Sequence, residues 1–120
     1  MNGVVMWQRA EGAVVFVASM LVYLNLDAEL SWWLALLVFF APDLSFAAYL
    51  LGNRAGAFGY NLVHVYAFGT AVFAVGFVTG GVGLAAVGAL WLSHSGFDRM
   101  LGYGLKSTEG FKVTHLGRIG

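Results

Sequence analysis

An all-α fold, a bundle of four antiparallel transmembrane helices with both termini on one side, is what this sequence predicts, on three observations. The 120 residues are 60% hydrophobic and 10% charged, with a mean hydropathy of +0.80, against about 45–50% and about 25% in ordinary globular chains. Apolar runs close to the roughly 20 residues that a bilayer core requires recur along the chain. Short polar or glycine-rich breaks, "LDAEL", "GNRAG" and "TGGVG", separate them.

The first predicted span covers 12–26, with a start nearer Val4 if Trp7 sits at the interface, where amphipathic rings settle. Arg9 followed by "GAVVFVASMLVYLNL" has the charge and length of a signal peptide. No small-x-small cleavage site follows, so this segment is read as an uncleaved membrane helix. The second span, 30–51, opens on Trp32 and Trp33 and holds the chain's single proline, Pro42. The third covers 56–78 and the fourth 82–103, ending at Tyr103. The tight connections require consecutive helices to pack antiparallel. Residues 1–105 thus form the membrane domain. The segment 106–120 is too polar to span, and Phe111, Leu116 and Ile119 suit it to docking on the bundle's cytoplasmic face.

The charges orient the bundle. Arg9, Arg54, Arg99, Lys106, Lys112 and Arg118 fall on one side of this layout, and Asp27 and Glu29 mark the other. The positive-inside rule places both termini in the cytoplasm, in a cytoplasmic (inner) membrane. With 6 basic and 6 acidic side chains the formal charge is zero, so nothing points to a nucleic acid partner. The absence of cysteine removes disulfides, thiolate metal sites and thiol catalysis together. Gly52 with Gly56, Gly76 with Gly80, and Ala85 with Ala89 give small-residue spacings that let helices approach closely, within the bundle or between copies in a homo-oligomer.

The polar residues inside the spans meet at one depth. Counted from the cytoplasmic ends of their helices, Asp43, Asn61, His64, His94 and Asp98 all lie within roughly 8–14 Å of that boundary at 1.5 Å rise per residue. Asn61 and His64 are spaced i, i+3, and His94 and Asp98 i, i+4, so each pair projects from one side of its helix. Carboxylates facing lipid would cost on the order of 2.5–3.5 kcal/mol each, so they should point inward, toward the histidines. Tyr60 and Tyr66 flank this layer; aromatic packing is the reading taken for them, with hydroxyl donation into the layer as the alternative. His115 joins the layer if the tail docks.

The blocks "APDLS", "YNLVHVY", "LSHSGFDRMLGYGLK" and "GFKVTHLGRIG" resemble those of a family of small bacterial membrane proteins described as a domain of unknown function, number 4260. The resemblance covers residues 31–120 and implies a four-helix membrane protein. It supplies no activity. Its blocks contain Asp43, Asn61, His64, His94, Asp98, Arg99 and His115, the polar set that the depth argument selects.

Three histidines and two carboxylates are ligands that zinc, manganese or iron accept. The reading taken forward is a divalent-metal site of Asp43, His64, His94, Asp98 and His115 that supports hydrolysis of a lipid or small substrate. Asp43 and Asp98 serve in it as ligands or general bases, and Asn61 and Arg99 contact the bound group. Three readings compete: a structural polar network, with Asp98 paired to Arg54 or Arg99; a proton or cation transporter subunit; and a b-type haem held by His64 and His94.

Overall fold

A computed structural model describes residues 3–119; of the predicted tail, only Gly120 lies outside them. Five helices run in chain order: α1 (Gly3–Leu24), α2 (Trp32–Phe40), α3 (Asn53–His64), α4 (Tyr66–Thr79) and α5 (Val82–Leu101), with a 3₁₀ segment, Ala41–Leu51, continuing α2. Three short strands follow, β1 (Lys106–Ser107), β2 (Gly110–Thr114) and β3 (Gly117–Arg118), in an antiparallel sheet of order β1-β2-β3.

Among the described residues, two helices are long and apolar enough to cross a membrane, Gly3–Leu24 and Trp32–Leu51, and a third candidate arises if the bent pair α3 and α4 is one span. The predicted span boundaries shift accordingly: the first helix starts at Gly3, and the third span is two helices meeting at 46°. The fourth predicted span corresponds to α5, which is not among the candidates. Ser93, His94, Ser95, Asp98 and Arg99 lower its hydropathy, and all of them are buried inside the protein. The outer helices show the opposite pattern: Val4, Trp7, Val14 and Leu24 of α1, and Leu44, Leu50 and Leu51 after α2, stand exposed, the surface that lipid tails would cover.

The polar helix α5 is the core, packed against α1, α4 and α2. Small residues set how closely it lies. A Cβ on Gly12 of α1 would stand 2.6 Å from the Arg99 Cβ, and one on Gly96 of α5 would stand 2.6 Å from the Phe16 backbone nitrogen. Gly69 and Gly76 of α4 meet the backbone of α5 at Leu92 and Ala85 in the same way. In lipid, where helices have no hydrophobic drive to associate, such backbone contact would be what holds them. The Ser93 hydroxyl donates to the Phe16 carbonyl (3.1 Å) and Arg9 Nε–H to the Met100 carbonyl (3.0 Å), fastening α1 along α5.

Two irregularities in the backbone shape the interior. Pro42 has no N–H to donate to the Val38 carbonyl, so the α-helical ladder stops at Phe40 and the tighter winding takes over. The Val38 carbonyl instead accepts from the Ala41 amide and from Trp91 Nε1–H of α5 at 2.9 Å. The second irregularity is Val65, whose extended backbone (φ −71°, ψ 146°) separates α3 from α4. In a continuous helix the His64 carbonyl would accept from the Phe68 amide; that amide turns to the Val65 carbonyl at 3.2 Å.

Candidate metal centre

Each backbone irregularity delivers one side chain to the same point. Asp43 follows Pro42 on the 3₁₀ segment, His64 is the last residue of α3, and His94 and Asp98 are one turn apart on α5. Asp43 Oδ1 lies 3.4 Å from His64 Nε2 and 3.1 Å from His94 Nε2. Asp98 Oδ2 lies 3.5 Å and 3.3 Å from the same two atoms. The two Nε2 atoms are 3.2 Å apart. All four ligand atoms fall within 4.8 Å of one another, so the group could hold a metal ion. Four ligands about 2.0–2.1 Å from a tetrahedral ion are separated by about 3.3–3.4 Å, the spacing that five of these distances bracket.

The shell around the group fixes its hydrogens. His64 Nδ1–H donates to the Tyr60 carbonyl at 2.8 Å; a carbonyl only accepts, so neutral His64 keeps a lone pair on Nε2, aimed at the cluster. Histidine ligands of metals are commonly oriented by such a carbonyl. The Tyr60 ring stacks on the His64 ring at 3.7 Å, and its hydroxyl donates to Asp98 Oδ2 at 3.3 Å. Phe39 and Phe40 stand edge-on to the His94 ring, whose Nδ1 has no hydrogen-bond partner among the described residues. Arg99 braces the break in the chain. Its Nη2–H donates to the His64 carbonyl at 2.5 Å and its Nη1–H to the Tyr103 carbonyl at 3.1 Å. Tyr103 reaches that place because Gly102 (φ 92°) turns the backbone at the end of α5.

Burial is graded across the site. His64 and His94 are sealed, whereas the Asp43 side chain is 35% exposed. Both carboxylates line a cavity of about 340 Å³ together with Phe46, Tyr60, Tyr103, Lys106, Phe111 and Ile119. Lys106 is only 5% exposed, with its ammonium 3.9 Å from the centre of the Phe111 ring and 4.9 Å from that of Tyr60. Burial pushes this ammonium below the usual lysine range.

Asp43, His64, His94 and Asp98 therefore come together as the sequence predicts. Asn61 and Arg99 do not touch the cluster with their polar atoms; they hold the backbone around it. Asn61 Nδ2–H donates to the Lys106 carbonyl (2.8 Å) and its Oδ1 accepts the Lys106 amide (2.6 Å), so it secures the tail. His115 is not brought to the group. Its Nδ1 accepts the Leu105 amide at 2.8 Å, and it borders a separate pocket with Gln8, Glu11, Tyr66 and Arg99. Tyr60, read as packing with hydroxyl donation as the alternative, does both: its ring stacks on His64 and its hydroxyl reaches Asp98. Lys106 escaped the sequence reading, counted only as a cytoplasmic charge.

The haem alternative does not fit this geometry. Axial nitrogens on opposite sides of a haem iron, each about 2 Å from it, stand about 4 Å apart with a macrocycle between them, and the 3.2 Å gap here leaves no such space.

The profile of a family described as Domain of unknown function (DUF4260) matches residues 5–119. The chain belongs to that family. The match reaches back into α1, ahead of the blocks from residue 31 onward, and takes in the whole cluster and all three strands. No curated protein and no solved structure matches the chain. The family's description carries no activity, so the chemistry rests on the residues themselves.

Proposed function

We propose that Asp43, His64, His94 and Asp98 hold one divalent transition metal, zinc, manganese or iron, and that the ion supports hydrolysis at the cytoplasmic face of the membrane. The observation that carries this reading is the 3.2 Å separation of the two histidine Nε2 atoms beside two carboxylates. Hydrogen bonding alone leaves the site charged. One imidazolium donating Nε2–H to the lone pair of its neutral neighbour satisfies the 3.2 Å contact but neutralises only one of the two carboxylates beside it, a net charge that membrane interiors support poorly. A dication accepts both lone pairs and neutralises both carboxylates.

Four ligands fill a tetrahedral sphere, so hydrolysis requires one carboxylate to leave the ion or a sphere of more than four ligands. The imidazoles lie behind and the carboxylates face the cavity, so water would reach the ion on that side and a freed carboxylate would take its proton. A divalent ion lowers the pKa of a bound water enough to make it a nucleophile near neutral pH. In this reading the chain crosses a cytoplasmic membrane four times, through α1, α2 with its 3₁₀ continuation, the bent α3–α4 pair, and α5. The Lys and Arg bias supports cytoplasmic termini.

Elemental analysis with an absorption spectrum on detergent-purified protein, beside His64→Ala, tests the metal. Near-stoichiometric metal in the wild type and its loss in the variant are expected. A metal-free wild type that is as stable as His64→Ala is not would move the assignment to a polar network.

A further inference from the structure

The cavity over the cluster contains a buried cation that the metal reading does not use. Lys106 is tied by its backbone to Asn61 through two hydrogen bonds and carries its ammonium between the Tyr60 and Phe111 rings. It makes no ion pair among the described residues. A lysine kept out of water normally has a counter-ion. Aromatic faces compensate part of that loss, and Asp98 and Asp43 across the cavity attract the ammonium as long as their charge is not taken up by an ion.

Charge counting defines what is missing. If the dication rests on two carboxylates and two neutral imidazoles, the floor of the cavity is neutral, and Lys106 leaves one positive charge in excess. We propose that the cavity takes a singly charged phosphodiester, its anionic oxygens between the ion and the Lys106 ammonium and its substituents against Phe46, Tyr103, Phe111 and Ile119. This rests on the metal reading. The lining favours a diester because the walls beyond the charged end are aromatic and aliphatic, and a doubly charged monoester would leave a negative charge uncompensated. A phospholipid headgroup and a soluble diester share this chemistry.

Diethyl phosphate, followed by its ³¹P signal, is the probe, with neutral triethyl phosphate as the control. It is titrated into the detergent-purified full chain, whose metal content is measured on the same sample. The wild type is expected to bind diethyl phosphate and ignore triethyl phosphate. Lys106→Met should keep its metal and weaken diethyl phosphate binding tenfold or more, and Lys106→Arg should restore it to within about threefold. Displacement by phosphatidylglycerol in mixed micelles assigns the site to a lipid headgroup, and failure to displace assigns it to a soluble diester. Metal-loaded protein that ignores diethyl phosphate, or binds it equally well in Lys106→Met, overturns the proposal and leaves the metal site standing. Metal-free wild type overturns both, and elemental analysis tells the two failures apart.

Discussion

His64 and His94 approach nose to nose, Nε2 to Nε2 at 3.2 Å, from two helices whose sequence positions are 30 residues apart. The hydrogen of His64 is committed to the other side of its ring, on Nδ1. The electrophile between the two nitrogens is then either a proton on His94 Nε2 or a metal ion.

If that electrophile is a metal ion, removing it should destabilise the fold. An ion present at about 100 times its dissociation constant stabilises a protein by about 2.7 kcal/mol. A chelator should therefore lower the wild-type melting temperature by several degrees. His94→Ala should melt lower from the outset and ignore the chelator. Thermal melts in detergent with and without EDTA measure both effects.

Arg99 holds two carbonyls that the chain's irregular backbone leaves over, those of His64 and Tyr103. Arg99→Met would orphan the buried His64 carbonyl, at about 1–3 kcal/mol. It should also loosen the ligand's orientation, and losses of this kind weaken metal affinity by about 10–100-fold. Arg99→Lys should recover part of each, because an ammonium lacks the fork that reaches both oxygens. Metal titrations on the three proteins give the order wild type, lysine, methionine.

The Val38 carbonyl links Pro42 to Trp91. Trp91→Phe should cost about 0.6–1.7 kcal/mol, the range for such bonds between membrane helices. In a Pro42→Ala background the new amide can take over the carbonyl, so the same substitution should cost less. A double-mutant cycle measures the difference as a coupling energy.

Asn61 is a latch on the tail rather than a ligand. Asn61→Ala breaks both of its bonds to the Lys106 backbone and should leave the helices intact. Trypsin should then cut after Lys106 and Lys112 faster than in the wild type, with the melting temperature shifted much less. Timed digestion followed by mass spectrometry reads the sites.

Burial, and then the positive charge of Arg99, hold His115 below its ordinary value of 6.5. Because the folded state binds this proton less tightly than the unfolded chain does, its contribution is present above about pH 6.5 and is lost as pH falls toward the depressed value. Protonation of Nδ1 also ends its acceptance of the Leu105 amide. Hydrogen exchange at Leu105, corrected for intrinsic rate, should accelerate on going from pH 7.5 to pH 5.5. The acceleration should be absent in His115→Asn.

The cluster was legible because depth and helical phase are linear in sequence: counting residues from a span end brings Asp43, His64, His94 and Asp98 together without knowledge of packing. The helix break at Val65 was not legible. No proline or glycine stands there, and the group that stabilises it, the Arg99 guanidinium, lies 35 positions away. Lys106 was hidden for a related reason. Strands of two to five residues leave little pattern, so the turn that folds Lys106 over the cavity could not be read. The centrality of α5 also went unseen, since hydropathy ranks it by its polar residues and says nothing of the helices that shield them.

The placement of α5 at the centre sets the timing of biosynthesis. Asp43 and His64 leave the ribosome first, at about 5–20 residues per second, and neither can complete a coordination sphere alone. His94 and Asp98 arrive on α5, which must pack between α1 and α4 after both have been made. The nascent chain thus carries a half-built cluster for seconds, and if the cluster holds a metal, loading becomes a step after translation rather than part of it.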